Sequence, residues 1–181
     1  MLYKTHLATS IAVGAGLATV ISFPFTVWYL GGISLGSLLP DIDEPRSFIG
    51  RKSFGLADIV NKWYGHRGAT HSLFAWSLLT ILICFFNSPF TLGLSLGYLF
   101  HIAGDYFSRS GVPLFMPITK KRFKFFLTYK TSSTDELIIF YVAILTAITL
   151  TLNEQLRTPL TSSIADLLAR IIKFVFHLLD K

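Results

Sequence analysis

Five apolar stretches mark the chain, at about 7–23, 25–39, 72–86, 89–104 and 137–152. Each falls somewhat short of the ~20 residues that cross a bilayer as a helix, and flanking residues extend them. Pro24 predicts a tight corner between the first two, and Asn87-Ser88-Pro89 a short turn between the third and fourth. Ser133-Thr134-Asp135-Glu136 supplies N-cap residues for the fifth. The pattern predicts an all-α, polytopic membrane bundle over 1–152, with about five spans in two hairpins plus one. Loops 40–71 and 105–136 are polar. Beyond them, in the segment 153–181, Asp166, Arg170, Lys173 and His177 recur at helical steps on an otherwise apolar stretch. That predicts an amphipathic helix in the membrane interface, with a sixth span or a partner-binding helix as the alternatives.

Composition supports the membrane class. Of 181 residues 52% are hydrophobic and only 14% charged, against about 25% charged in a soluble domain. This excludes a disordered chain. Cys84 is the lone cysteine, which excludes an intrachain disulfide scaffold. Lys4 before the first apolar run is a weak signal-peptide feature, and a second apolar run follows at once, so the first stretch reads as an uncleaved span.

The basic residues set the orientation. Loop 40–71 carries Arg46, Arg51, Lys52, Lys62 and Arg67, and loop 105–136 carries Arg109, Lys120, Lys121, Arg122, Lys124 and Lys130. The connections at Pro24 and Asn87–Pro89 carry none. The positive-inside rule puts both loops in the cytoplasm. The net charge of +6 then suits anionic lipid or phosphate. Lys120-Lys121-Arg122-Phe123-Lys124-Phe125-Phe126 has the composition of a nucleic-acid patch, but headgroup contact fits a membrane loop better, so no nucleic-acid partner is expected. Gly32 and Gly36, and again Gly93 and Gly97, have the spacing that lets helices approach closely; a homo-oligomer is compatible with it.

The ionisable residues gather at one end of this topology. His6 opens the first helix, Asp41 and Asp43 follow the second, His66 and His71 precede the third, and His101 and Asp105 end the fourth. With alternating helix directions, all seven fall at the cytoplasmic end. His101 and Asp105, four apart, share a helical face. Imidazole and carboxylate without thiolate suit zinc, manganese or iron; zinc is the expected ion, with manganese the alternative. Seven candidates suit two ions, or one ion with bases and supporting partners. Singly, each residue also has a bland reading as interface anchor, turn-former or cap. Arg67 lies between candidate ligands, and its fork suits a phosphate. Arg46, Thr70 and Ser72 are further substrate-contact candidates, with topology and capping as the alternatives.

Thr5-His6, Leu-Pro-Asp-Ile-Asp at 39–43, His66-Arg67-Gly68-Ala69-Thr70-His71-Ser72 and Gly97…His101…Asp105 together resemble the YdjM family of bacterial inner-membrane proteins. The resemblance covers roughly 1–120 and implies a helical membrane domain with a metal site at the inner face, of metal-dependent hydrolase type. A more distant similarity, through His101-Ile102-Ala103-Gly104-Asp105, runs to zinc-dependent phospholipase C and P1-type nucleases. That group has further ligands, whereas here no histidine follows Asp105 until His177.

The expected protein is a multi-pass inner-membrane hydrolase cleaving a phosphoester of a lipid-type substrate with a metal-activated water. His6, Asp41, Asp43, His66, His71, His101 and Asp105 are the candidate ligands. Asp41, Asp43 and Arg67 are the candidate catalytic groups. The alternative is a non-catalytic metal-binding protein, whether transporter, sensor or scaffold.

Overall fold

The computed structural model describes residues 1–64 and 67–152; the segment 153–181, with its expected interfacial helix, lies outside the described residues. The described chain is helical: α1 (Tyr3–Val20), α2 (Val27–Gly36), α3 (Leu56–Tyr64), α4 (Leu73–Ile83), α5 (Pro89–Tyr106) and α6 (Thr134–Leu152). Short 3-10 turns lie at Leu39–Asp43, Gly50–Lys52 and Ala69–His71.

Local chemistry fixes the helix starts. Thr26 accepts the Tyr29 N–H at 3.1 Å and opens α2 just past the Pro24 corner. Ser72 accepts the Ala75 N–H at 3.1 Å at α4. Ser88 and Thr91 form a reciprocal capping box at α5, with Pro89 at the first position. Glu136, buried at the start of α6, accepts the Leu2 and Ser132 N–H groups, each at 2.6 Å. This carboxylate ties the start of α6 to the start of α1.

Two kinds of small-residue contact assemble the bundle. The α1 and α6 faces meet through Ala8, Ala12 and Ala143, flanked by Phe140 and Ile144. The α2 and α5 backbones touch through their glycines: a methyl on Gly36 would sit 2.2 Å from the Leu94 carbonyl oxygen, and one on Gly97 2.3 Å from that of Ile33. Gly32 and Gly93 repeat the contact one turn away. The two glycine pairs read from the sequence are thus one interface seen from both sides. Tyr29 and Ile33 are fully buried beside it. On the other flank of α5, the Trp76 indole donates to the Ser95 carbonyl at 3.0 Å and Thr80 pairs with the Ser95 hydroxyl at 2.7 Å, holding α4.

The all-helical class agrees with the sequence. Among the described residues one helix, within α6 at Thr134–Thr151, is long and apolar enough to cross a membrane by length and composition. The second and third expected spans are shorter than their apolar stretches. Helix α2 has 10 residues and α4 has 11, about 15–17 Å at 1.5 Å per residue, half the ~30 Å of hydrocarbon. Helix α2 gives way at its site-facing end to the Leu39–Asp43 3-10 turn, which aims side chains into the bundle, whereas α4 keeps its site-facing start at Leu73 and stops short at its far end, in a turn over residues 84–86.

Candidate functional site

The polar cluster forms where the start of α1, the end of α5 and two of the 3-10 turns converge. His6, His71, His101, Asp43 and Asp105 are almost wholly removed from solvent. Burying this many ionisable groups is costly unless each finds a partner, so the pairing decides what the site is.

Two histidines have their tautomers fixed. His101 Nδ1 lies 2.6 Å from the Ser37 carbonyl oxygen, which only accepts, so Nδ1 carries the hydrogen. His71 Nδ1 lies 3.1 Å from Asp43 Oδ2, and Asp43 also accepts from the Thr70 hydroxyl at 2.6 Å and the Gly68 N–H at 3.2 Å. Both Nε2 atoms are therefore left to face each other, 3.2 Å apart. In neutral rings two lone pairs would oppose at that distance. A shared proton or a metal ion must lie between them.

Two carboxylates close on this pair. Asp41 Oδ1 is 3.5 Å from His71 Nε2 and 3.6 Å from His101 Nε2. Asp105 Oδ2 is 3.6 Å and 3.8 Å from the same two atoms. These are two triangles sharing the His71–His101 edge. A tetrahedral ion with ligands at 2.0–2.1 Å has ligand-to-ligand edges of about 3.3 Å, so each triangle has the size of one tetrahedral face. His6 lies on the far side of His101, its ring stacked on the His101 ring with centroids 3.6 Å apart. His6, His101 and Asp105 form a second group of potential ligands sharing His101 with the first.

Unsatisfied atoms point the same way. Both His6 ring nitrogens and Asp105 Oδ2 are buried without a hydrogen-bond partner. His6 Nε2 approaches Asp105 Oδ1 at 3.4 Å, but without hydrogen-bond geometry. Such orphans are rare among buried polar atoms, and a cation would satisfy Asp105 Oδ2 together with one of the two His6 nitrogens. The residues fit a divalent ion.

Electrostatics place the protons. Burial opposes a charge on His71, but its bonds to Asp41 and Asp43 and the nearby Asp105 outweigh it and push its pKa up to about 9. Burial would raise Asp41, yet His101, His71 and His6 hold it well below the usual carboxylate range. Asp105 Oδ1 accepts from the Met1 amino group at 3.0 Å and from Arg67 Nη2 at 2.9 Å. Arg67 Nη1 donates to Ser108 Oγ at 3.0 Å. Arg67 takes a left-handed backbone, φ 54°, which these buried hydrogen bonds hold in place.

The structure thus brings together His6, Asp41, His71, His101 and Asp105. Asp43 sits behind His71 and positions its ring. Of the expected substrate contacts, Thr70 is spent on Asp43 and Ser72 on capping α4. Arg67 and Arg46 line a cavity of about 330 Å³ together with Arg51 and Asp41. His66 lies outside the described residues. Sequence reasoning missed Ser37, which acts through its backbone carbonyl and leaves no residue signature. It also missed Ser108, whose place one turn past Asp105 was a readable signal.

Known proteins supply a framework for this geometry. Residues 1–177 match the family described as YdjM inner membrane protein. Over 90 residues the chain is 40% identical to the inner membrane protein YdjM of Escherichia coli strain K12, covering 46% of each chain, and the match to its Shigella flexneri counterpart has the same identity and coverage. The match therefore spans about half the length of these relatives. The chain is also 33% identical over 143 residues to the uncharacterized protein YvsG of Bacillus subtilis strain 168, covering 75% of this chain and 85% of that one. No solved structure matches. With the match running over nearly the whole chain, the protein belongs to the YdjM inner membrane protein family.

Proposed function

We propose that the chain is an inner-membrane, metal-dependent hydrolase that cleaves a phosphoester of a lipid-type substrate at the cytoplasmic face. The observation that carries this reading is the facing pair of His71 and His101 Nε2 atoms, 3.2 Å apart, with Asp41 and Asp105 within 3.8 Å. These four would hold one divalent ion, zinc by ligand type and edge length, with manganese the alternative. His6 would complete a second site through Asp105. When bound, such an ion supplies a Lewis acid and an activated water near neutral pH.

The chain's own residues account for the rest. Asp41, whose side chain is 14% exposed, is the member of the cluster that lines the cavity of Arg46, Arg51 and Arg67. Its low pKa makes it a weak base and a good ligand. The arginines give that entrance the charge to receive a phosphoryl group. Arg67 also steadies Asp105, so its guanidinium links the entrance to the ligands. The positive charge of the loops supports a cytoplasmic position for this end of the bundle, in an arrangement where α6 would span the membrane and the two hairpins would be embedded beside it.

Elemental analysis of detergent-purified protein, paired with hydrolysis of bis(p-nitrophenyl) phosphate and of phosphatidylglycerol, tests the reading. Bound zinc or manganese, with turnover lost on chelation and restored by metal, is expected. Absence of both metal and turnover after reconstitution would overturn it. The near-complete burial of His6, His71, His101 and Asp105 favours a second reading, a non-catalytic ion clamping the helix ends; metal without turnover on either substrate selects it. Asp43→Asn should weaken metal about 10–100-fold, as loss of a supporting partner does, while saturating metal still fills the site. A competition titration against a chromophoric chelator measures this.

A further inference from the structure

Helix α3 presents three distinct faces. Ala57 is buried, and Asn61 donates to the Asp43 carbonyl at 2.7 Å, so one face rests on the turn that carries Asp41 and Asp43. A second face is polar, with Asp58 and Lys62. The third is apolar and open: Leu56 is 56% exposed, Ile59 58% and Trp63 76%, and Phe54 just before the helix is fully exposed. Residues 56, 59 and 63 fall on one helical stripe. Nothing among the described residues covers it.

Its surroundings identify the occupant. Arg51 and Lys52 precede the helix and Lys62 borders the stripe. An apolar stripe edged by cations and bearing a tryptophan has the chemistry of a helix lying in an anionic headgroup layer. The helix belongs to a chain that carries a membrane-spanning candidate in α6, and it lies in a polar loop, where membrane burial of spans does not account for the exposed side chains.

We propose that Phe54, Leu56, Ile59 and Trp63 form a foot that lies in the cytoplasmic headgroup layer of an anionic bilayer. Through Asn61 the foot braces the turn that carries Asp41, so membrane contact and the candidate metal cluster share one support. The inference rests on the membrane location proposed above and is independent of hydrolysis.

The test places a single fluorophore at Ile59→Cys, Asp58→Cys or Leu145→Cys in the full chain carrying Cys84→Ser. Each is reconstituted into nanodiscs of phosphatidylethanolamine and phosphatidylglycerol containing lipid spin-labelled at the headgroup end of the chain or deep within it. The label at 145 should be quenched by deep spin labels; failure there counts against the membrane location itself. The label at 59 should be quenched by shallow spin labels at least threefold more than the label at 58, with the difference shrinking in phosphatidylcholine alone. Equal, weak quenching at 58 and 59 overturns the foot. So does shielding of position 59 from aqueous quenchers without lipid quenching, which marks a protein partner or second copy. A Leu56→Ser, Trp63→Ser chain labelled at Ile59→Cys should lose the excess shallow lipid quenching at 59 while α-helical circular dichroism is kept.

Discussion

A His101→Ala chain is expected to lose bound metal and hydrolysis together, with binding weakened by well over the roughly 100-fold that removal of a supporting partner costs. The size of the effect follows from position. His101 is the residue shared by both potential ligand groups, so no rearrangement of His6, Asp41, His71 or Asp105 restores a complete set around either. Alanine also leaves the Ser37 carbonyl, which now accepts from Nδ1 at 2.6 Å, without that donor, and an unsatisfied buried carbonyl costs about 1–3 kcal/mol. His101→Asn separates the two effects. Its amide nitrogen stands where Nδ1 stands and keeps a donor for Ser37, while Nε2 is gone. The expected result for His101→Asn is no metal by elemental analysis and a thermal unfolding temperature near that of chelator-stripped wild type. Retention of stoichiometric metal in that variant would remove His101 from the ligand set and with it the argument for the cluster.

The cluster was legible because its members are few and expensive. His6, His71, His101 and the aspartates stand at the ends of apolar stretches, and alternating helix direction sends all of them to one end of the bundle. What sequence could not assign was the division of labour. Asp41 and Asp43 differ by two positions, and the 3-10 turn points one carboxylate at the Nε2 atoms and the other at His71 Nδ1; that depends on backbone dihedrals, not on residue type. For Thr70 and Ser72 the sequence leaves substrate contact and capping both open, and only the hydrogen bonds to Asp43 and to the α4 start choose between them. Helix lengths were overread at α2 and α4 because apolar character continues through Leu38-Leu39-Pro40 and through Cys84-Phe85-Phe86 after or around the true helix, and hydropathy does not register a change from α to 3-10. The amphipathic character of α3 is carried by Leu56, Ile59 and Trp63 alone, a short stripe that the surrounding charges of loop 40–71 mask in the hydropathy pattern.

Gly97→Leu should prevent the folded bundle from accumulating, and Gly97→Ala should lower both stability and metal affinity. A methyl at 97 meets the Ile33 carbonyl oxygen at 2.3 Å, with the Ile33 Cα and carbonyl carbon at 2.9 Å. These are backbone atoms, so no rotamer change relieves the clash and the α2 and α5 axes must separate by about 1 Å. Overpacking of this kind costs about 1–3 kcal/mol even where side chains can yield; here the cost exceeds that range for leucine. The consequence reaches the cluster directly. Ser37 follows Gly36, which faces α5 in the same interface, and its carbonyl sets the His101 tautomer four residues beyond Gly97. Moving α2 away lengthens that 2.6 Å hydrogen bond and frees the ring to turn. Gly31→Ala is the control, because nothing lies within 4 Å of a methyl there. It should be neutral or stabilising by up to about 1 kcal/mol, the helix preference for alanine over glycine. Unfolding temperature in detergent and metal content, measured on all three, give the order Gly31→Ala at or above wild type, then Gly97→Ala, then Gly97→Leu. A Gly97→Leu chain as stable as wild type would show that α2 and α5 do not meet through their glycines, and the support for His101 would then have to come from elsewhere.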